Sequence, residues 1–227
     1  MVTKTIQIAT FGTFRDNNVL AGLKIFPSQK LVLICYEHDN IKAKLFSERI
    51  RSNNENIEVI ICLTPKHKVI ESVFGYIGGV VGSEINRFQR ILVNVSSGDK
   101  PLSYAVLCAA YIKGMNTFMI NSNYSNSLAV IPTPKLYYDK IITKTNLRIL
   151  NSIASAGGVV YGLEQLQQIS GLIKPLLSYH LHGRDHTKGL IDLGLVRVES
   201  KRNENSSIVI VSLTAIGKLF VTKGERS

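Results

Sequence analysis

The stretches LVLICY (residues 31–36) and IEVIICL (57–63) are apolar at nearly every position, so neither alternate face can lie against water. A strand buried on both sides belongs to a sheet covered by helices on both sides, and such sheets are built from parallel strands. The flanking sequence supplies the helices. Residues 41–52 set Ile41, Leu45, Phe46 and Ile50 at helical spacing, 66–88 read as one long helix, and 101–113 as another. Shorter apolar runs at 5–10, 91–95 and 117–121 complete the strands. This alternation over the first 130 residues predicts a doubly wound, mostly parallel α/β domain, whose ligands bind beyond the carboxyl ends of the strands.

The pattern changes after IPTPK (131–135), where two prolines two apart fit neither a helix interior nor a central strand. The expected domains are therefore 1–134 and 140–227. Residues 143–156 carry Leu147, Ile149, Leu150 and Ile153 on one helical face, with Thr143 or Thr145 as N-cap. A short helix over 163–169 stops at Ser170-Gly171, and a third is expected over 173–193, with Pro175 in its first turn and with Gly183 and Gly189 interrupting it, so that it is either extended or broken over 183–189. Residues 195–198 and 208–213 flank the polar turn ESKRNENSS and read as a β-hairpin, followed by a helix at 214–221. Helix, helix-turn-helix and a hairpin with a charged tip predict a winged helix-turn-helix.

Lysine and arginine number 27 against 16 acidic residues, a net charge of +11 shared by both halves. Such an excess favours an anionic partner, a nucleic acid or an acidic membrane surface. Cys35, Cys62 and Cys108 lie in apolar runs without C-x-x-C spacing, which suits buried thiols in a reducing compartment better than disulfides or zinc. Residues 1–12 lack the apolar core of a signal peptide, and the apolar stretch 69–81 carries Glu71 and is too short to span a bilayer. A cytoplasmic protein without a membrane partner is expected.

A helix-turn-helix lays its later helix in the major groove of double-stranded DNA, and a wing adds backbone contacts. The candidate recognition helix spans 174–188 and offers Lys174, Ser178, Tyr179, His182, Arg184 and Lys188, while Leu176, Leu177 and Leu181 suit the core. Lys201 and Arg202 sit at the wing tip, where flexible cations meet phosphates. His180, His182 and His186 invite a metal reading, but glycine at 183 replaces the acidic partner of H-E-x-x-H, and no metal site is assigned. Winged helices also serve as dimerisation or protein-docking modules, which remains an alternative.

In the first domain two polar, glycine-bearing loops follow inner strands. One is NVSSGDKP (94–101), with Ser96, Ser97, Gly98, Asp99 and Lys100; the other, ATFGTFRDNN (9–18), has Thr10, Gly12, Thr13, Phe14 and Arg15. Gly98 allows close backbone approach, the N-terminus of the following helix favours an anion, and Asp99 is free to cap that helix. Neither loop carries G-x-G-x-x-G, so the ordinary dinucleotide fingerprint is absent. Loops meeting at the switch point of a doubly wound sheet, with Arg15 and Lys100 as cations and an aromatic for stacking, suit a nucleotide with several phosphates.

The run ILVNVSSGDKPLSYAVLCAAYIKGMNTFMIN (91–121) resembles the signature of CRISPR-associated Rossmann-fold (CARF) domains: an apolar strand ending in N-x-[ST]-[GS]-G-[TD]-[KR], a helix with small residues, then another strand. A CARF domain followed by a winged helix resembles the archaeal CRISPR-associated transcription regulators of antiviral defence. The resemblance implies a two-fold homodimer that binds cyclic oligoadenylate, here expected to be cyclic tetra-adenylate, as a regulatory ligand rather than a cofactor. The matching positions are Thr10 and Gly12 to Arg15 in one loop and Ser96 to Lys100 in the other. Small residues Gly75, Gly78, Gly79 and Gly82 would allow close approach near the dimer axis. Two alternatives stay open. One is a ring nuclease that cleaves the cyclic ligand, although neither loop holds a His or Glu as base and no catalytic residue is assigned. The other is a DNA-binding protein whose α/β half only dimerises.

Overall fold

The computed structural model describes residues 4–12, 16–53, 56–84, 86–121, 127–133, 138–184, 187–203 and 206–221, with backbone alone at 121, 127, 139, 140, 201–203, 206 and 207. The chain divides into two compact units, Met1–Leu136 and Tyr137–Ser227.

The first unit is a six-stranded sheet with flanking helices, in the order β1 (Thr5–Thr10), α1 (Asp16–Ile25), β2 (Lys30–Tyr36), α2 (Asn40–Asn53), β3 (Glu58–Thr64), α3 (Val69–Glu84), β4 (Arg90–Asn94), α4 (Lys100–Ile112), β5 (Asn116–Asn121) and β6 (Ser127–Ile131). Across the sheet the strands run β3-β2-β1-β4-β5-β6. The first five are parallel, with Ile8 paired to both Val32 and Val93. β6 is antiparallel to β5, with Met119 opposite Ala129. This order reverses direction between β1 and β4, so the loops leaving those two strands border the crevice at the carboxyl edge.

Both faces of the centre are apolar, as the continuous apolar runs require. Every residue of β1 and β2 is buried. Leu31, Leu33 and Cys35 pack with Ala43, Phe46 and Ile50 of α2 and Val19 of α1. The alternate positions Ile6, Ile8, Val32 and Ile34 are fully buried as well. At roughly 1.5–3 kcal/mol per buried aliphatic side chain, this two-sided core is the main reason the sheet forms. One buried cation belongs to it. Lys30 Nζ lies 2.9 Å from Glu58 Oε1 and 2.8 Å from Glu84 Oε1.

Three expectations are corrected here. The helix expected over 66–88 is a single 3-10 turn at Lys66–Lys68 followed by α3, and it ends where the Glu84 carbonyl accepts from the Arg87 and Phe88 N–H groups. β6 was not anticipated. Cys35 and Cys62 are buried thiols, but Cys108 on α4 is exposed.

The second unit begins with α5 (Tyr138–Ile141) and α6 (Lys144–Ser155). Thr143 caps α6 by accepting from Asn146 N–H at 3.1 Å, and Ile149, Leu150 and Ile153 are fully buried. Then come β7 (Val159–Tyr161), α7 (Gly162–Ser170), α8 (Lys174–His182), a two-residue ladder of β8 (Gly183–Arg184) and β9 (Thr187–Lys188), β10 (Val196–Asn203), β11 (Ser206–Leu213) and α9 (Ala215–Lys218). β10 and β11 form a long hairpin, and β7 adds to its β11 edge.

Of the two forms expected for the third helix, extended over 173–193 or broken over 183–189, the broken one is found: α8 ends at His182, and the reason is backbone packing. Gly183 has φ +74, and a Cβ there would lie 2.2 Å from the Thr187 carbonyl oxygen. A Cβ on Gly189 would lie 2.4 Å from Gly183 N. The chain therefore folds back at Gly183, and the N–H groups of Leu190 and Ile191 donate to the His180 and Leu181 carbonyls at 2.8 and 3.0 Å. Those bonds satisfy the last carbonyls of α8, which a continuing helix would otherwise have engaged. Among the described residues no helix is long and apolar enough to cross a membrane.

Candidate functional site

The loops after β1 and β4 touch each other through their glycines. A Cβ built on Gly12 would lie 2.8 Å from Gly98 Cα, and Gly98 itself has φ +86. One glycine is needed for close approach and the other for its left-handed backbone. Phe11 N–H donates to the Ile34 carbonyl at 2.8 Å and Val95 N–H to the Phe118 carbonyl at 3.1 Å, which tie both loops to neighbouring strands.

Several candidate ligand residues are engaged inside this framework. The fully buried Thr10 hydroxyl donates to the Ser97 carbonyl. Ser96 is buried; its hydroxyl donates to Asn94 Oδ1 and accepts from Ile120 N–H at 2.7 Å, and its carbonyl accepts from Asn18 Nδ2 at 3.1 Å. Asn94 and Ser96 thus brace the loop rather than present donors outward. Asp99 caps α4, accepting from Leu102 N–H at 3.0 Å. Pro101 has no N–H, and Ser103 N–H donates to the Asp99 carbonyl at 3.0 Å. The helix end accordingly offers an anion less than its position suggested.

What the site does present is different in part. Gly98, Asp99 and Lys100 are exposed, and Lys100 has no carboxylate partner among the described residues. Among the described residues the buried Ser97 hydroxyl has no hydrogen-bond partner, nor has Oγ1 of Thr64 at the carboxyl end of β3. Such orphans cost about 1–3 kcal/mol each unless something supplies the missing bond. Thr13, Phe14 and Arg15 lie outside the described residues.

The residue that the sequence did not single out is Tyr36, last in β2. Its hydroxyl donates to Asp99 Oδ1 at 2.9 Å. Burial pushes the phenol up to about 12, assisted by that bond to the carboxylate, so it stays a neutral donor. The His38 ring stacks on the Tyr36 ring with centroids 5.4 Å apart, and Lys66 Nζ lies 5.7 Å from the same ring. Lys66, His67 and Lys68 form an exposed basic turn after β3. Four strand ends thus contribute, and the exposed cations Lys66, Lys68 and Lys100 stand there beside the exposed carboxylates of Glu37 and Asp99. Tyr36 closes an apolar run, and its partner lies 63 residues later; nothing local in the sequence marks the pair.

In the second unit α8 carries Lys174, Ser178, Tyr179 and His182 at exposed positions. Lys174 Nζ is held 2.5 Å from Glu164 Oε1, and that bond lowers the Glu164 pKa. His180 turns inward, with Nδ1 2.6 Å from Asn146 Oδ1, and burial pushes its imidazole down. Arg184 and Lys188 are exposed, but on the β8–β9 ladder rather than on the helix. The side chains of Lys201 and Arg202 lie outside the described residues; their backbones pair with Ile208 and Ser207 in the hairpin. His186 is likewise outside, and among the described residues no three His, Cys, Asp or Glu side chains converge as a metal cluster.

No protein-family model matches this chain. No curated protein matches it. Among solved structures it is similar to protein VC1899 from Vibrio cholerae (12% identity, 95% of this chain and 65% of that one, TM-score 0.48). It is also similar to Enterococcus italicus Csm6 bound to cyclic hexa-2'-fluoro-hexa-dAMP (15% identity, 78% and 55%, TM-score 0.46). A third is Can2 from Sulfobacillus thermosulfidooxidans in complex with cyclic tetra-adenylate (12% identity, 94% and 60%, TM-score 0.44). The chain spans under two thirds of the length of each.

Proposed function

We propose that the protein is a dimeric, CRISPR-associated regulator that binds cyclic oligoadenylate at the carboxyl edge of its CARF-like sheet, residues 1–134, and couples this to DNA binding by a winged helix, residues 140–227. The observation that carries the reading is the contact of the Gly12 and Gly98 loops at the switch point, with exposed Lys100 beside them. The resemblance of residues 91–121 supplies the ligand class. Lys100 and Lys66 would face phosphates, and the orphan Ser97 hydroxyl would gain a partner. Arg15, Thr13 and Phe14 belong to the same loop and are proposed with them.

A cyclic, two-fold ligand suits a two-fold dimer, because each protomer then presents the same loops to half the ring. The outward face of α4 suits the partner: Tyr104 is 60% exposed, with Cys108 one turn on. In the second unit Lys174, Ser178, Tyr179 and His182 would enter the major groove, while Arg184, Lys188, Lys201 and Arg202 would meet backbone phosphates. Ligand affects DNA only if it binds the two arrangements of the dimer with different affinity.

A second reading, cleavage of the cyclic ligand, draws on His38, an imidazole stacked on Tyr36 beside the loops. One experiment separates the readings. Anisotropy of labelled duplexes from a random pool is measured with and without cyclic tetra-adenylate, and the nucleotide is then analysed for ring opening. The regulator reading expects a ligand-dependent change in duplex affinity that Lys100→Ala removes. Ring opening lost in His38→Ala would favour the nuclease, and duplex binding indifferent to ligand and to Lys100→Ala would leave the sheet as a dimerisation scaffold.

A further inference from the structure

A cavity of about 470 Å³ opens at the end of the first unit opposite to the glycine loops. Its lining includes Gln29, just before β2, and Ile57, just before β3, so it lies at the amino ends of the parallel strands. Leu20 and Leu23 of α1, Ile50 of α2 and Ile57 make its walls, and all four pack into the core cluster behind them. The volume is within the range that small-molecule sites occupy.

Among the described residues the charges on the lining have one sign. Lys24 from α1 and Arg49 from α2 are exposed on it, and neither has a carboxylate partner among the described residues. Among the described residues no Asp, Glu or aromatic residue lines the cavity; Glu55, between the lining residues Asn53 and Asn56, lies outside the described residues. Gln29 Oε1 accepts from Thr5 N–H at 2.7 Å, which fixes the amide and leaves its Nε2 as a further donor.

These walls discriminate between ligand classes. Nucleobases are held by stacking on aromatic faces, and this cavity has none. An aliphatic chain is matched by leucine and isoleucine walls, and an unpaired arginine is matched by a carboxylate, which it binds in a bidentate fork. We propose that the cavity binds an aliphatic carboxylate, its chain against Leu20, Leu23, Ile50 and Ile57 and its head between Lys24 and Arg49.

The site does not depend on the reading of the glycine loops; Arg49 also lines a smaller pocket with Phe11, Gly12 and Asp16, so Leu20→Trp, which touches neither loop, keeps the test separate. Decanoate and decanol are titrated into the full chain by calorimetry, and ¹⁵N-labelled protein reports where amide shifts occur. The expected result is a decanoate Kd of roughly 2 mM or tighter, the level about twelve non-hydrogen atoms reach at the ligand efficiency of drug-sized molecules. Decanol should bind more weakly, and shifts should fall at residues 20–29 and 49–57. The Lys24→Ala/Arg49→Ala variant, altered only at exposed positions, should weaken decanoate roughly tenfold or more, the worth of a charge-assisted hydrogen bond. Leu20→Trp should block the cavity, and Lys100→Ala should change nothing. No binding at millimolar decanoate, equal binding of decanol, an unchanged double variant, or shifts confined elsewhere would overturn the proposal. So would a concentration-dependent dimer that the double variant abolishes, because the cavity would then belong to a second copy.

Discussion

Replacing Gly12 by alanine puts a methyl carbon 2.8 Å from Gly98 Cα, 3.3 Å from Gly98 N and 3.6 Å from Gly98 C. All three neighbours are backbone, so no side chain can swing away. Carbon atoms rest at about 3.5–4.0 Å, and the two loops must therefore separate by roughly 1 Å. Overpacking of this kind costs about 1–3 kcal/mol. For a unit of this size that corresponds to a fall in Tm of about 3–10 °C. Gly75→Ala is the matched control. It also adds a methyl to a glycine of the first unit, but a Cβ there meets nothing within 4 Å, and the site is inside α3. Alanine should stabilise that helix by about 0.8–1 kcal/mol. Scanning calorimetry on both variants should show shifts of opposite sign. A Gly12→Ala protein melting within 1 °C of the parent would mean that the loops are not in contact, and the site built on that contact would fall with it.

Lys30→Met takes from the buried Glu84 its buried partner and leaves it only the largely exposed Arg87, 3.4 Å away; breaking a buried pair costs about 3–5 kcal/mol, so urea unfolding at neutral pH should show a loss toward the lower end of that range, and an unchanged midpoint would deny the buried pair. His180 has its pKa lowered by burial. Its contribution is full above the ordinary value near 6.5 and is lost as pH falls through the lower folded value, so the second unit should weaken below about pH 6.5. His180→Gln should flatten that pH dependence in thermal melts, and an unaltered slope would point to another group. Glu164→Gln frees Lys174 from its exposed ion pair. If α8 meets DNA, duplex affinity should rise modestly and its salt dependence steepen by about one phosphate contact; an unchanged salt slope would place Lys174 away from the phosphates.

The central strands were legible because burial on both faces writes itself as an unbroken apolar run, as in residues 31–36. β6 was not, because its Leu128 and Val130 are 39% and 69% exposed and the strand borders a proline pair that reads as a boundary. β7 is three residues long and gains its identity only from pairing with β11. The helix over 173–193 follows the apolar period, yet Gly183 and Gly189, visible in the sequence, mark the fold-back that ends α8. In the candidate site the two glycines and the Asp99 cap were readable as local chemistry. The engagement of Thr10 and Ser96 was not, because polar residues at strand ends look alike whether they face solvent or tie loops together across 24 to 87 residues. Tyr36 was missed for the same reason.

The central claim is that the loops after β1 and β4 form one anion-receiving site for a cyclic oligoadenylate. Calorimetric titration of the full chain with cyclic tetra-adenylate, and with linear tetra-adenylate of the same charge class, tests it most directly. The account predicts tight binding of the cyclic form at one ligand per two chains, much weaker binding of the linear form, and at least a tenfold loss in Lys100→Ala, in line with one charge-assisted contact. Absence of binding by cyclic oligoadenylates of any ring size would contradict it.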